Sequence, residues 1–462
     1  MKHLFLILLA SLCWGNLKGQ TMAERLDALL NETVLKTSEV GVTVFDLTSG
    51  ESVYQYQDEK LYRPASIQKI VTSVTALAML GEKYTMDTRL CHTGVVRNDT
   101  LDKLYLIGGF DPELMEEHLD TLVDAVVRTG IKYVDTLVAD VSMMDSVYWG
   151  PGWSWDDAPY SFQPYLSPLM LNRGCVDVTV FPTQKDSLAA IECKPVSDFY
   201  ATINRTVSRH PEAGKLQITR NWLGHGNTII VSGNVDRKKT TSVSMYPSQH
   251  FFVHVFAERL RNKGVNIGQS VWSESPVDSA LVLCTIHRPI GEVLMRALKE
   301  SDNLCAESMF YHLASKNHPS GRVGAEDGSE VINRFMKEKL GFNPEYYRIA
   351  DGSGVSLYNY VSPRLLLEYL KYAYYHREVF MPFYEALPVA GIDGTLKHRM
   401  KKTPAYRNVR AKTGSVTGVS SLAGYVKAAN GHWLGFVIIN QNVMKLKQAR
   451  DFQDKVCSIL SQ

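Results

Sequence analysis

The chain has 462 residues, with 50 Lys+Arg against 48 Asp+Glu and a net charge of +2. That near-balance argues against a nucleic-acid binder, which carries a strong basic excess. Hydrophobic residues at 45% and charged residues at 21% describe an ordinary globular protein rather than a disordered one, and the length points to about three domains rather than one core.

Lys2 and His3 open the chain, and an apolar run from Leu4 to Trp14 follows. The run is well short of the roughly 20 residues that span a bilayer. Small residues stand at Gly15 and Gly19, so residues 1–19 read as a cleaved export signal, with an uncleaved anchor as the competing reading. Bulky Leu12 speaks against lipidation of Cys13. No later segment is a long charge-free apolar run, so the mature protein is expected to be soluble or peripheral. Once Cys13 leaves with the signal, Cys91, Cys175, Cys193, Cys284, Cys305 and Cys457 remain. An oxidising compartment permits disulfides among them, but sequence cannot choose the pairing, and no CxxC pair suggests a zinc ribbon or a redox site.

From Met22 to Leu35 the apolar spacing predicts a helix with Leu26, Leu29 and Leu30 on one face. Strand-like runs follow at Val40 to Leu47 and Ser52 to Tyr56, joined by Thr48-Ser49-Gly50 as a hairpin. Pro64 then precedes a long helix from about Ile67 to Leu80. The far end of the chain has the complementary pattern. Ser421 to Val426 and Trp433 to Ile439 read as strands around an Asn430-Gly431 turn, and a closing helix runs from Lys445 to Leu460. One α/β domain built from both chain ends is therefore expected, with the middle, about 86 to 282, inserted. That middle has β-rich runs at Leu104 to Ile107, Val176 to Phe181 and Thr228 to Val231, and helices near Glu113 to Thr129 and Gln249 to Lys263. Val176 to Asp236 lacks a helical period and reads as a β-rich module nested inside the insertion.

Three motifs carry the chemistry. In Ser66-Ile67-Gln68-Lys69 the first and fourth residues share a helix face. Ser66 sits at the helix start, where free N–H groups favour developing negative charge, and Lys69 can act as a base if burial or a second cation lowers its pKa. Ser301-Asp302-Asn303 lies between two helical segments, Ile290 to Lys299 and Leu304 to Ser315; it reads either as two polar side chains facing a cleft or as a plain N-cap. Lys412-Thr413-Gly414 opens the terminal strand pair, with Lys412 and Thr413 able to grip a carboxylate and Gly414 letting a ligand approach the backbone; the competing reading is a solvated strand end. Each motif alone is cheap, as the decoy Ser232-Gly233-Asn234 shows. Together and in this order they form the signature set of penicillin-binding proteins and class A β-lactamases.

Beyond the trio, Arg63 to Lys69, Gly108 to Pro112, Pro151 to Asp157, Ser301 to Glu307, Asp351 to Gly354, Leu387 to Leu396 and Lys412 to Ser415 make the mature chain resemble the penicillin-binding protein 4 type of D-alanyl-D-alanine carboxypeptidase and endopeptidase, peptidase family S13. The resemblance implies an α/β (α+β) fold: a serine β-lactamase/transpeptidase-like domain from residues 20–85 and 283–462, an inserted domain from 86–175 and 237–282, and a nested β-rich domain at 176–236. It implies that Ser66 attacks the carbonyl between two D-alanines while Lys69 takes its proton, helped by the charge of Lys412. The N–H groups of Ser66 and Ser415 would form the oxyanion hole, Ser301 would relay the proton to the leaving amine, Asn303 would position Lys69 and the substrate amide, and Lys412 and Thr413 would hold the terminal carboxylate. Asp157 and Phe162 match the residues that receive a diaminopimelate side chain, but Leu357 stands where some members carry an arginine for its carboxylate, implying a weaker grip. The implied partners are peptidoglycan stem peptides and, as inhibitors, β-lactam antibiotics. No nucleic acid, metal or cofactor is implied, and the location is periplasmic.

Three other readings compete. A zinc peptidase would need ligands such as His250 and His254, yet His-Phe-Phe-Val-His is not HExxH. A β-lactamase would need a base for a deacylating water, and no motif supplies one. A non-catalytic peptidoglycan or β-lactam binder would leave the trio unexplained.

Overall fold

The computed structural model describes residues 20–93, 98–273, 280–318 and 322–462. The expected export signal, and Cys13 within it, lie outside the described residues.

Both chain ends meet in one five-stranded antiparallel sheet. Its order is Arg410–Val416, Val419–Lys427, Trp433–Gln441, Glu39–Asp46, Glu51–Tyr56. The two central strands are buried along nearly their whole length, because helices cover both faces. On one face Val437, Ile439, Ala423 and Tyr425 pack against the helices Gln68–Leu80, Ile290–Lys299, Asn303–Asn317, Pro363–Tyr375 and Arg377–Ala386. On the other, Val42, Val44, Phe436 and Ile438 pack under the first helix, Met22–Leu29, and the last, Leu446–Leu460. The alternation of these residues between two cores is the period of two that strands impose.

The first helix is shorter than its periodicity suggests. A capping box between Thr21 and Glu24 starts it. It ends at Leu29 rather than Leu35, where Asn31 turns its side chain back onto the Ala28 carbonyl and a 3₁₀ turn, Thr33–Lys36, takes over. The helix expected near Glu113 begins at Glu116, after Asp111 has bonded the Glu113 N–H at 2.9 Å.

The middle of the chain forms a second five-stranded sheet, of order Asn266–Ser273, Tyr133–Asp140, Thr100–Ile107, Thr85–Thr93, Leu281–Pro289, with parallel and antiparallel pairs. The helices Glu116–Arg128 and Ser248–Asn262 share a core with it. Two three-stranded sheets complete the region. One is Thr202–Ser208, Ile229–Val235 and Gln217–Arg220; the other is Lys239–Ser244, Cys175–Phe181 and Ala190–Lys194. Two of these pairings run across expected domain boundaries. Lys239–Ser244 is hydrogen-bonded to Cys175–Phe181, so a boundary at 236 would cut a sheet. Leu281–Pro289 pairs with Thr85–Thr93, so a boundary between 282 and 283 would cut a strand. Backbone pairing is invisible to composition, which shifts earlier than the hydrogen bonds do. The six cysteines of the described residues are free.

Candidate active site

The helix Gln68–Leu80 is entered through a 3₁₀ turn, Ala65–Ile67, that carries Ser66. Ala65 sits at φ 51°, a left-handed conformation strained for a residue with a Cβ. One turn later, Lys69 points back. Its Nζ donates to Ser66 Oγ at 3.1 Å, to Asn303 Oδ1 at 2.7 Å and to the Ser353 carbonyl at 2.7 Å, using all three hydrogens of the ammonium. Lys69 is fully buried. Burial lowers its pKa to about 8, against the pull of Asp351, Glu307 and Asp302 in the other direction. A neutral amine is thus accessible beside the hydroxyl near neutral pH.

The second motif is both of the things its sequence allows. Asp302 caps the helix Asn303–Asn317 by accepting from the Cys305 N–H at 3.0 Å, while its two neighbours face the lysines. Ser301, left-handed at φ 62°, accepts from Lys412 Nζ at 2.8 Å. Asn303 holds Lys69 through its oxygen and donates its amide to the Phe162 carbonyl at 2.8 Å.

The third motif lies on the edge strand Arg410–Val416. Lys412 is fully buried, and burial together with the charge of Lys69 lowers its proton affinity well below that of a free lysine. Its ammonium also donates to the Thr413 carbonyl at 2.7 Å. Thr413 is partly exposed and Ser415 exposed: the Thr413 hydroxyl bonds Thr395 at 2.8 Å, and Ser415 Oγ accepts from Arg450 at 3.3 Å. Gly414 also stands against the first motif. A Cβ there would stand 2.2 Å from Ser421 Oγ, 2.8 Å from the Pro64 carbonyl and 2.9 Å from the Ser66 nitrogen. The bare Cα lets the strand dock on the turn that presents Ser66.

Sequence reasoning missed the acids behind Lys69. Glu307, one turn along the helix from Asn303, accepts the N–H groups of Gly352 and Ser353 at 3.1 and 2.8 Å. Asp351 accepts from Trp153 Nε1, the Gly354 and Ser356 N–H groups and Asn359 Nδ2, all at 2.7–2.9 Å. Together they fix the 351–354 turn so that the Ser353 carbonyl meets Lys69 and the Gly352 carbonyl accepts from Thr72 at 2.7 Å. Burial, with the charge of Asp351, pushes the Glu307 carboxyl up to about 8. The i, i+4 spacing of Asn303 and Glu307 was the available signal.

Phe162 reaches the cluster through its backbone, while its half-exposed ring stacks on Tyr160 at 5.6 Å. Asp157 lies on the same loop in the turn Trp155–Asp157. Its carboxylate is not among the groups bonded to Ser66, Lys69 or Asn303; partial burial and Asp156 raise its pKa. Leu357 is half-buried, its N–H on the Gly152 carbonyl at 3.2 Å. A cleft of about 360 Å³ opens beside Ser301 and Asn303, walled by Phe162, Arg173 and Asp302. The two histidines at metal-like spacing have different partners: His250 stacks on Trp272 at 4.5 Å, and His254 bonds Asp198 and Glu258.

Residues 22–462 match the model of the D-Ala-D-Ala carboxypeptidase 3 (S13) family. A D-alanyl-D-alanine carboxypeptidase of Actinomadura sp. is 29% identical, over 91% of this chain and 80% of that protein. The D-alanyl-D-alanine carboxypeptidase DacB of Haemophilus influenzae is 26% identical, over 88% of this chain and 86% of that one. The crystal structure of penicillin binding protein 4 from Haemophilus influenzae superposes with a TM-score of 0.81 at 25% identity, covering 93% of this chain and 97% of the other. The α+β architecture is that of penicillin-binding protein 4, with its β-lactamase-like transpeptidase fold. The match over nearly the whole chain places it in the D-Ala-D-Ala carboxypeptidase 3 (S13) family, as a serine peptidase of the penicillin-binding protein 4 type.

Proposed function

We propose that the chain hydrolyses the terminal D-Ala-D-Ala bond of peptidoglycan stem peptides through an acyl-enzyme on Ser66, and that it cleaves peptide cross-links by the same route. The observation that carries this reading is the sharing of one buried lysine between a hydroxyl and an amide: Lys69 bonds Ser66 Oγ and Asn303 Oδ1 together. As the free base, Lys69 takes the Ser66 proton while the oxygen attacks the carbonyl carbon. The N–H groups of Ser66 and Ser415 face the developing oxyanion; a donor of this kind is worth about 3 kcal/mol of barrier. Ser301, already bonded to Lys412, passes a proton to the leaving amine. Thr413, at the solvent-facing edge, meets the substrate carboxylate, with the charge of buried Lys412 beneath it. Water then attacks the ester and frees Ser66.

Asp157 and Phe162 are the proposed contacts for the side chain before D-alanine. Leu357 offers no charge to a carboxylate on that side chain, so its hold there is weaker. A β-lactam carries a comparable acyl carbonyl and acylates Ser66 without prompt release. Residues 1–19 are proposed to direct export to the periplasm. Among the described residues no helix is long and apolar enough to cross a membrane, and any membrane contact is proposed to be peripheral. The chain is proposed to divide into a catalytic unit from both ends, a middle unit on the second five-stranded sheet, and a nested unit on the two small sheets.

Intact-mass measurement with and without penicillin, with mapping of the adduct, tests the reading. The expected result is one stable adduct on Ser66, and release of D-alanine from a D-Ala-D-Ala pentapeptide that Ser66→Ala abolishes. Rapid loss of the adduct would mark a β-lactamase, and equal inertness of wild type and variant would mark a binding protein.

A further inference from the structure

Arg173 and the turn that presents it take no part in the chemistry above, yet they touch the second motif. Asn172, Arg173 and Gly174 are consecutive left-handed residues, at φ 47°, 64° and 70°, a strained backbone for the two that carry side chains. The turn is pinned by the Asn172 N–H on the Leu114 carbonyl at 2.9 Å, the Gly174 N–H on the Leu171 carbonyl at 2.8 Å and the Met245 N–H on the Gly174 carbonyl at 2.8 Å. At its tip the Arg173 guanidinium donates to Asp302 and, at 2.8 Å, to Glu113. Arg296, from the helix before the motif, reaches Glu113 at 3.1 Å and Asp302 at 3.5 Å. The four side chains close a ring of alternating charge. Arg173, Glu113 and Asp302 are 16%, 17% and 11% exposed, a setting where screening by water is weak. Burial pushes the Asp302 carboxyl up, but Arg173, the Cys305 N–H and Arg296 together hold it below its ordinary value.

We propose that Arg173 is a positioning residue for the Ser301-Asp302-Asn303 motif: the strained 172–174 turn clamps Asp302, and thereby sets where Ser301 and Asn303 stand against Lys412 and Lys69. The inference rests on the reading of Ser66 as nucleophile. Asp302 lies between the two residues that face the lysines, so fixing its carboxylate fixes both. Strain stands on each side of the contact, since Ser301 is itself left-handed, and such strain persists only where the surroundings over-determine it. The Asn303 amide on the Phe162 carbonyl is a second tie from the middle of the chain. Without the clamp, Ser301 relaxes out of the left-handed region and its hydroxyl leaves Lys412. Acylation therefore depends on how the inserted region is seated, although that region supplies neither the nucleophile nor the base.

The test is the kinetics of penicillin acylation on the full chain, with the rate at saturation and the half-saturating concentration measured separately and thermal unfolding followed alongside. Arg173→Met is expected to lower the saturating rate about 10–100-fold, the scale of a misplacement of about 1 Å, with little change in the half-saturating concentration. Asp302→Asn keeps a good helix cap and so keeps the fold, but loses the ion pair and gives the same drop. Arg173→Lys recovers most of the rate, and the Arg173→Met/Asp302→Asn double variant is no slower than the slower single one. A folded Asp302→Asn whose saturating rate stays within about twofold of wild type, the margin within which independent sites add, overturns the clamp alone. So do losses that multiply in the double variant. A Ser66→Ala protein that penicillin still labels overturns the nucleophile reading and the clamp with it.

Discussion

Gly414→Ala tests how closely the third motif must approach the first. The added Cβ would lie 2.2 Å from Ser421 Oγ, 2.8 Å from the Pro64 carbonyl and 2.9 Å from the Ser66 nitrogen. Ordinary carbon contacts lie at about 3.5–4.0 Å, so the strand must retreat from the nucleophile turn by about 1 Å. Ser421 cannot simply rotate away for free, because its hydroxyl donates to the Pro64 carbonyl at 2.7 Å and is buried. Overpacking of this kind costs about 1–3 kcal/mol of stability, and a 1 Å error between Ser66 and the groups of the edge strand costs about 100-fold in rate. The assay is β-lactam acylation followed by stopped flow, with thermal unfolding in parallel. A modest fall in Tm and a large fall in acylation rate are expected. Adding Ser421→Gly removes the nearest clash but not the two backbone ones, so it should restore stability more than rate. If Gly414→Ala acylates at the wild-type rate, the glycine is not what seats the strand against Ser66, and the packing argument fails.

Three other outcomes are expected. Because burial lowers the Lys69 pKa to about 8 and only the neutral amine accepts a proton, the acylation rate should rise with pH through neutrality and level off above about 8; a flat profile from pH 6 to 8 would exclude Lys69 as the base. Lys69→Arg keeps a positive charge but cannot deprotonate, so acylation should fall by about 10²–10⁴-fold, as for loss of a general base, measured on protein whose circular dichroism is unchanged. Asp351→Ala strands the N–H groups of Trp153, Gly354, Ser356 and Asn359; at about 1–3 kcal/mol each this amounts to at least ~4 kcal/mol, and calorimetry should show a large drop in Tm or no folded protein.

What was legible in the sequence depended on whether a contact is local. Ser66 and Lys69 are one turn apart, so spacing alone joins them. The strand pair around Gly431 and the hairpin after Thr48 follow from turn residues and alternation, and their register agrees with the two buried cores. The acids that serve Lys69 were not legible as acids. Glu307 reads as one more polar residue on a helix, and Asp351 as part of a glycine turn; only the packing of the 351–354 turn on the helix Asn303–Asn317 gives them a task. The packing of Gly414 on the Ser66 turn was not legible, because sequence cannot show that this turn lies across the strand. The ends of elements failed where a side chain competes with the helix, as at Asn31, and the strand pairings across 236 and 282 were not legible because they join residues far apart in the chain.

The grouping of charge in the site explains why those acids matter. Two lysines, Lys69 and Lys412, are fully buried within reach of one cluster; burial makes both protons less secure, and the charge of Lys69 adds to this at Lys412. Buried alone, such a pair would be too costly to keep charged and would weaken the fold. Asp351, Glu307 and Asp302 work against that loss at Lys69 without touching its nitrogen, since their oxygens are spent on the Cys305 N–H, on Arg173 and on the 351–354 turn. Direct contact would have pinned the proton on Lys69 and removed it as a base. Neutral contacts from the Ser66 hydroxyl, the Asn303 amide oxygen and the Ser353 carbonyl hold the nitrogen in place while the acids act from behind. The lysine is thus held at a proton affinity between that of a free amine in water and that of an isolated buried one, the range in which it can both take the proton from Ser66 and give it back.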